Sequence, residues 1–128
     1  MRLMIVDDSN IIRTRISRVV QRPELSHLLI VGLARNGAEA VEIAERSRPE
    51  IVTMDLTMPE MDGVECTQEL IDMFPDINIL VISALSDKAT AIAALRVGAR
   101  GFLPKPFTDD ELSLALLDIM DTDTEGEV

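Results

Sequence analysis

Short apolar runs alternate with amphipathic segments along most of this chain. The runs are continuous rather than alternating in polarity, which is typical of parallel strands that are covered on both faces. The segments between them repeat apolar residues every three or four positions, and this spacing indicates helices with one buried face. We therefore predict strands at residues 3–6, 28–34, 51–54, 77–82 and 101–104.

Capping residues and prolines mark the limits of the predicted helices. Ser9 and Asn36 are expected to cap the first two helices, and Pro23, Pro49 and Pro75 stand where helices end. The third helix follows Gly63, the fourth is expected at residues 87–97, and the last begins at Thr108 or Asp109. The acidic segment 121–128 has no apolar pattern, so we predict a disordered tail there.

Five strands that alternate with five helices predict an α/β domain. Its sheet is expected to be mostly or wholly parallel, with helices on both faces. The chain of 128 residues contains no internal repeat and no linker, so residues 1–120 are predicted to form one domain. This length is sufficient for a core that needs no disulfide.

Polar side chains follow the predicted strands at the places where most of them end. Asp7 and Asp8 follow the first strand, Asp55 the third, Ser83 the fourth, and Lys105 the fifth. The carboxyl ends of parallel strands meet at one edge of a sheet, and α/β proteins bind their ligands at that edge. We therefore expect these polar groups to lie together.

Clustered carboxylates indicate a metal site with phosphoryl chemistry. Three carboxylates close together repel one another, and their pKa values rise unless a cation is present. Such an oxygen-rich site suits Mg²⁺, or the similar Mn²⁺, and the facing Lys105 suits a dianionic phosphoryl group. We predict that one carboxylate attacks phosphorus while the metal and lysine neutralise its oxygens and a hydroxyl donates a hydrogen bond.

The phosphoryl donor is expected to be another molecule. The sequence contains no Gly-rich phosphate loop and no nucleotide-binding motif, so the chain does not supply its own nucleotide site. A partner protein or a small phosphorylated compound must therefore bring the group.

Composition narrows the range of partners. The net charge of −11 opposes binding to nucleic acid and to anionic membranes, and no apolar run is long enough to span a bilayer. With aromatic residues at 2%, binding by base or sugar stacking is not expected. The lone Cys66 cannot form an internal disulfide and there is no signal segment, so we expect a cytoplasmic protein.

Four motifs together resemble the response-regulator receiver domains of two-component signalling, in particular the single-domain, CheY-like chemotaxis type. They are "LMIVDDS", "MDLTMPEMDG", "VISA" and "GARGFLPKPF", and their order and spacing make the resemblance specific. It covers residues 2–120 and implies a flavodoxin-like fold with strand order 2-1-3-4-5. It also implies a phosphorylation-controlled switch rather than a turnover enzyme, with a histidine kinase or phosphotransfer protein as the donor.

The resemblance assigns the phosphoryl acceptor and the metal ligands. Asp55 would be the phosphoacceptor and would also contact the metal. Asp8 would bind Mg²⁺ directly and Asp7 largely through water, while the backbone carbonyl of Thr57 would complete the protein ligands.

The resemblance also assigns the groups around the phosphoryl oxygens. Lys105 would pair with one oxygen, Ser83 would be the hydroxyl that moves toward the group, and a cis peptide is expected before Pro106. Phe102 stands where the family has an aromatic switch residue, often Tyr. Leu85 is apolar where many relatives are polar, and with Thr57 it would flank the attacking water, so we expect a long-lived aspartyl phosphate.

The family usually presents its output surface on the fourth helix, fifth strand and fifth helix. Here Leu114 and Leu117 lie off the predicted core face of the last helix. Ala91, Ala94 and Leu95 are predicted to leave the fourth helix smooth. A downstream protein, or a second copy of the chain, is expected to bind this face.

Three alternatives compete with the switch. A Mg²⁺-dependent phosphatase with an Asp nucleophile typically places two acids two residues apart, whereas Asp7 and Asp8 are adjacent. A flavodoxin-like FMN binder would place its phosphate near these acids and has no Trp or Tyr here to stack on the flavin. An inert docking module would not need the complete set of acids, hydroxyl and lysine.

Overall fold

A single parallel sheet forms the centre of the molecule. The structure, a computed structural model, describes residues 1–58 and 62–125, with side chains up to residue 120. The strands are β1 Arg2–Val6, β2 Leu29–Ala34, β3 Ile51–Asp55, β4 Asn78–Ala84 and β5 Gly101–Lys105. All neighbouring strands pair in parallel, in the order β2-β1-β3-β4-β5. The predicted fold and strand order are confirmed.

Five helices connect the strands and cover the sheet on both faces. They are α1 Asn10–Val19, α2 Gly37–Ser47, α3 Gly63–Met73, α4 Lys88–Arg96 and α5 Asp109–Glu125. Short 3₁₀ turns occur at Pro23–Leu25 and Leu85–Asp87. No helix in the described part of the chain has both the length and the apolar character that a bilayer crossing requires.

Side-chain caps fix the helix starts. The side chains of Ser9 and Asn36 accept hydrogen bonds from backbone N–H groups in the first turns of α1 and α2, as their sequence positions predicted. Thr108 and Glu111 form a reciprocal capping box at the start of α5, where each side chain accepts from the other's backbone N–H. These caps determine where the chain leaves the edge of the sheet.

The end of α5 differs from the prediction. The helix continues to Glu125, so residues 121–125 are helical instead of belonging to an unpatterned tail. The rest of that segment, 126–128, lies outside the described residues. In the central motif, 59–61 also lie outside them.

The core consists of two apolar layers, one on each face of the sheet. Side chains of α1 and α5 pack over one face, against residues such as Leu3, Ile5 and Leu80. Side chains of α2, α3 and α4 pack over the other face, against residues such as Met4 and Val52. Burial of this apolar surface is the main stabilising contribution to the fold.

The surface of α4 corrects one prediction. Ala91 and Ala94 are buried in the core layer, so they do not form a smooth outer face. The large apolar residues that this helix exposes are Ile92 and Leu95. The helix is short and Ala-rich, and the small side chains of Ala91 and Ala94 are its buried residues in the core layer.

The junction of β3 and α3 requires glycine. A Cβ atom at Gly63 would collide with the backbone of Leu56 and the carbonyl oxygen of Asp55. The backbone of Gly63 also donates a hydrogen bond to the Leu56 carbonyl. The start of α3 is therefore held against the end of β3, and this contact fixes the segment that carries Asp55.

Thr53 places a polar group in the core layer under α1 and α5. It is 1% exposed, it pairs with Ile5 and Leu80 in the neighbouring strands, and its hydroxyl has no hydrogen-bond partner among the described residues. A buried hydroxyl without a partner loses its bonds to water and gains nothing in return.

We therefore expect Thr53→Val to raise the free energy of unfolding by about 1 kcal/mol, measured by urea denaturation. Thr67→Val is the matched control, because the buried Thr67 hydroxyl donates to the carbonyl of Gly63 at 2.6 Å. The control should lower stability by about 1 kcal/mol. If both substitutions shift stability in the same direction, the unsatisfied hydroxyl is not the cause.

Candidate functional site

The end of β1 supplies one buried and one exposed carboxylate. Asp7 is 1% exposed, and its Oδ1 accepts a hydrogen bond from the backbone N–H of Ser9 at 2.9 Å. Asp8 is exposed at the rim. Arg13 Nη1 donates to the Asp7 carbonyl oxygen at 2.6 Å, which ties the turn to α1. The turn after β1 is thus held by two contacts, one to the side chain of Asp7 and one to its backbone carbonyl.

Asp55, the last residue of β3, lies beside these acids. It is 3% exposed, and its Oδ1 accepts from the backbone N–H of Thr57 at 3.2 Å. One carboxylate oxygen from each of Asp7, Asp8 and Asp55 lies within 4.8 Å of the others. The structure therefore brings the predicted acids into one cluster.

Lys105, the last residue of β5, reaches across the edge of the sheet to the buried acids. Its Nζ is 3.4 Å from Asp7 Oδ2 and 3.5 Å from Asp55 Oδ1. Because β4 lies between β5 and β3, the long lysine side chain has to extend past one strand to make these contacts. The peptide bond between Lys105 and Pro106 is cis.

The hydroxyls of Ser83 and Thr57 both contact a fourth acid, Asp87. Ser83 Oγ is 3.5 Å and Thr57 Oγ1 3.3 Å from the same oxygen of Asp87, Oδ2. Ser83 is buried and Thr57 is exposed, so the carboxylate of Asp87 lies between the interior and the rim. The contacts are long, and they link the loop after β3 to the turn after β4.

The electrostatics of the cluster favour a bound cation. Burial raises the pKa of Asp55 from its ordinary 3.8 to about 6, and the nearby Asp7 adds to this rise while Lys105 opposes it. Burial also raises the pKa of Asp7, against hydrogen bonding from Ser9 and the charge of Lys105. A single ammonium thus leaves negative charge uncompensated, and the oxygen donors suit Mg²⁺ or Mn²⁺.

The predicted switch residue Phe102 lies on the edge strand β5. It is partly buried against the core layer under α2, α3 and α4. It pairs with Val81, two residues before Ser83, so Phe102 and Ser83 point to the same face of the sheet. Phe102 also lines a cavity of about 230 Å³ between β5 and α5, together with Leu80 and Ala115.

A larger cleft lies at the opposite end of the strands. It has a volume of about 440 Å³ and is lined by residues that include Arg2, Arg48 and Glu50. Asp55 and the other residues of the acidic cluster do not line it. Its lining residues carry charges of both signs, so the cleft has no concentration of one charge that would favour a metal ion or a phosphoryl group.

Three site residues escaped the sequence analysis. Arg13 and Arg15 were not among the predicted site residues, yet both are partly buried and bind backbone carbonyls near the site. Arg18, farther along α1, is exposed. Asp87 was predicted only as the start of the fourth helix. The available signal was position: Arg13 lies near the start of α1, close to the carboxyl edge of the sheet, Arg15 lies near the middle of α1, and Asp87 follows Ser83 by four residues.

The raised pKa of Asp55 predicts a pH-dependent stability. An acid whose folded pKa of about 6 exceeds its ordinary 3.8 is disfavoured as an anion in the native state. The resulting penalty is complete above pH 6 and disappears as the pH falls toward 4. Without metal at pH 7.5, Asp55→Asn should therefore be more stable than the original protein by about 2 kcal/mol.

Urea denaturation in EDTA between pH 4 and 7.5 measures this difference, which should shrink as the pH falls. Asp76→Asn, at an exposed aspartate, is the control and should change stability little. A stability gain for Asp55→Asn that is constant across this range would contradict the prediction.

Comparison with known proteins agrees with this geometry. Residues 3–117 match the family described as "Response regulator receiver domain". The chain is 37% identical to the chemotaxis protein CheY of Thermotoga maritima over 115 residues, which cover 90% of this chain and 93% of that protein.

Two solved structures share the fold over nearly the whole chain. The REC domain of AraT, a response regulator from Geobacillus stearothermophilus, superposes with a TM-score of 0.88 at 26% identity, covering 99% of this chain and 98% of that one. A CheX–CheY–BeF₃–Mg²⁺ complex from Borrelia burgdorferi superposes with a TM-score of 0.85 at 26% identity, covering 94% and 89%. The chain therefore belongs to the response regulator receiver domain family and is CheY-like.

Proposed function

We propose that this protein is a phosphorylation-controlled signalling switch that accepts a phosphoryl group on Asp55. The donor would be a histidine kinase or phosphotransfer protein, and the reaction would depend on Mg²⁺. The observation that supports this most directly is the placement of the Lys105 ammonium between the buried carboxylates of Asp7 and Asp55. A cytoplasmic location is part of the proposal, because such donors act inside the cell.

Transfer begins with nucleophilic attack by an Asp55 carboxylate oxygen on phosphorus. The new bond joins that oxygen to phosphorus, while the bond between phosphorus and the donor's nitrogen or oxygen breaks and its electron pair stays with the donor. Lys105 can then pair with a phosphoryl oxygen, since its ammonium is already 3.5 Å from Asp55 Oδ1. The partly buried ammonium is positioned before charge accumulates, so little reorganisation is needed.

Asp7, Asp8 and Asp55, with the carbonyl of Thr57, would hold the metal. When bound, Mg²⁺ supplies positive charge that compensates the acids and the incoming phosphoryl oxygens. This fits the excess of negative charge in the cluster. The related CheY of Borrelia burgdorferi was solved with BeF₃ and Mg²⁺, which supports Mg²⁺ as the metal for this chain.

The switch itself would involve Ser83 and Phe102. Ser83 now contacts Asp87, and a phosphoryl group on Asp55 would offer its hydroxyl a stronger, doubly charged acceptor. Movement of Ser83 would change the space beside Phe102 on the same face of the sheet. Phe102 has no phenol hydroxyl, so its position would follow packing alone.

Exposed apolar residues mark the proposed output face on α4, β5 and α5. Leu95 and Ile92 on α4 and Leu114 on α5 are 41%, 45% and 61% exposed, whereas Leu117 is partly buried against the core. The presence of CheX in the Borrelia burgdorferi complex supports a protein as the downstream partner. A second copy of this chain is the alternative occupant of the face.

Incubation with Mg²⁺ and acetyl phosphate, followed by intact mass measurement, tests the proposal. We expect the mass of a single phosphoryl group to be added to the original protein and to Asp76→Asn, but not to Asp55→Asn. Lys105→Ala should abolish signalling output even if some phosphate is added. Repeated turnover of the donor without accumulation would instead indicate a phosphatase, and no mass gain in any form would indicate a docking module.

The lifetime of the phosphoryl group provides a second prediction. Leu85 is 64% exposed and Thr57 is also exposed, so both can lie beside an attacking water. The leucine side chain has no acid or amide group that could orient this water. We expect Leu85→Gln to shorten the lifetime of the aspartyl phosphate about three- to tenfold, because an amide can orient the water. Decay of the phosphorylated mass in Mg²⁺ after removal of the donor gives the rate.

Leu114→Gln is the matched control, since it alters an exposed leucine on α5. Its phosphoryl lifetime should equal that of the original protein. A lifetime of seconds in the original protein would contradict the expectation of slow hydrolysis.

A further inference from the structure

Arg15 joins the middle of α1 to the loop that follows β5. Its Nη2 donates a hydrogen bond to the backbone carbonyl of Phe107, and its guanidinium lies over the Phe107 ring, 4.6 Å from the ring centroid. Its Nε is 3.0 Å from Asp109 Oδ1 at the start of α5. One side chain therefore holds the backbone, the ring and the following helix start together.

These contacts hold the part of the chain that immediately follows Lys105. Phe107 is 4% exposed and is separated from Lys105 by Pro106 alone. Lys105 is fixed on the other side by the pairing of β5 with β4, where it lies opposite Ala84. The pairing of β5 with β4 thus restrains Lys105 on its N-terminal side, and Arg15 restrains the segment on its C-terminal side by binding Phe107.

Small movements of this segment matter because the two Lys105 contacts are at the outer limit of hydrogen-bond distance. The ammonium lies 3.4 Å from Asp7 Oδ2 and 3.5 Å from Asp55 Oδ1. A backbone shift of a fraction of an ångström would lengthen one or both of these distances. Electrostatic catalysis depends on groups that are already in place before the reaction.

We propose that Arg15 is a positioning residue that acts through Phe107 to keep the Lys105 ammonium between Asp7 and Asp55. This role rests on the proposed phosphoryl transfer for its functional meaning. Its structural part, the placement of Lys105, can be measured without any phosphoryl donor.

Arg22 provides a natural control on the same pair of helices. It lies beyond the end of α1 and pairs with Asp110 of α5 at 2.8 Å, and with Glu24 at 3.8 Å. Asp110 is on the exposed surface of α5, and Arg22 makes none of the contacts to Phe107. Loss of Arg22 therefore removes an arginine that joins the α1 region to α5 and leaves the loop after Lys105 untouched.

The lysines of this chain allow the position of Lys105 to be measured directly. They are Lys105 and Lys88, which is exposed at the start of α4. An amine-directed acetylating reagent reacts slowly with a lysine that is ion-paired and partly buried, and the side chain of Lys105 is only 29% exposed. Peptide mass spectrometry then gives the Lys105 rate relative to the Lys88 rate in the same molecule.

We expect Arg15→Gln to raise the Lys105-to-Lys88 ratio of acetylation rates about three- to tenfold, and to slow phosphorylation by acetyl phosphate by a similar factor. Arg22→Gln should change neither, at a comparable change in melting temperature. An unchanged labelling ratio in Arg15→Gln would overturn the proposal.

Arg15→Lys tests whether geometry or charge is responsible, and it serves as a second variant if Arg15→Gln does not fold. A lysine can pair with Asp109 but cannot also reach the Phe107 carbonyl and stack on the ring, so its labelling ratio should stay close to that of Arg15→Gln. If Arg15→Lys has the same Lys105-to-Lys88 labelling ratio as the original protein, the three contacts of Arg15 with Phe107 and Asp109 are not what positions Lys105.

The two proposals fail separately. If the original protein gains no phosphate, the phosphoryl-transfer function fails, while the labelling ratio still decides whether Arg15 positions Lys105. If phosphate is gained and the ratio is unchanged in Arg15→Gln, the function stands and the role of Arg15 is rejected.

Discussion

The burial of two carboxylates within reach of one ammonium is the constraint on which the site depends. Asp7 and Asp55 are almost completely removed from solvent, and Lys105 contacts both. In a medium of low dielectric, charges that are so close interact strongly, and the desolvation of each carboxylate is only partly compensated. The native state therefore retains an unfavourable excess of negative charge, which a divalent cation or a proton can relieve.

The strand order is what produces this arrangement. β1 and β3 are neighbours, so Asp7 and Asp55 emerge side by side at the carboxyl edge of the sheet. β5 is separated from β3 by β4, and a shorter side chain than lysine would not reach across that strand. β4 contributes a hydroxyl, Ser83, at the gap that the lysine spans. The short aspartate side chains thus come from adjacent strands, and the long lysine side chain comes from the strand that lies farther away.

The surrounding contacts hold the loops rather than the acids themselves. Arg13 binds the carbonyl of Asp7, Gly63 allows α3 to press against the end of β3, and Arg15 binds the carbonyl of Phe107. These three contacts are made to the backbone, in addition to the backbone N–H groups and the lysine that contact the Asp7 and Asp55 carboxylates directly. No arginine in the described part of the chain pairs with the Asp55 carboxylate, so its charge is balanced within the protein by Lys105.

Much of this architecture was predictable from the sequence, because the information is local. Continuous apolar runs identify strands that are buried on both faces, and polar residues at their ends identify the edge where chemistry collects. The five strands, their parallel pairing and the convergence of Asp7, Asp8, Asp55 and Lys105 follow from that pattern. The motifs around these residues then indicated the family.

Side-chain partners between distant segments were decided only by the tertiary structure. Arg15 and Arg18 are alike in sequence, yet Arg15 meets Phe107, 92 residues away, while Arg18 lies exposed. Ala91 and Ala94 are core residues. The sequence analysis could not predict this, because the composition of α4 does not show how closely the helix packs against the sheet. Local periodicity determines which face of an element is apolar. Which polar side chain meets which depends on distances between elements, and those exist only once the sheet has assembled.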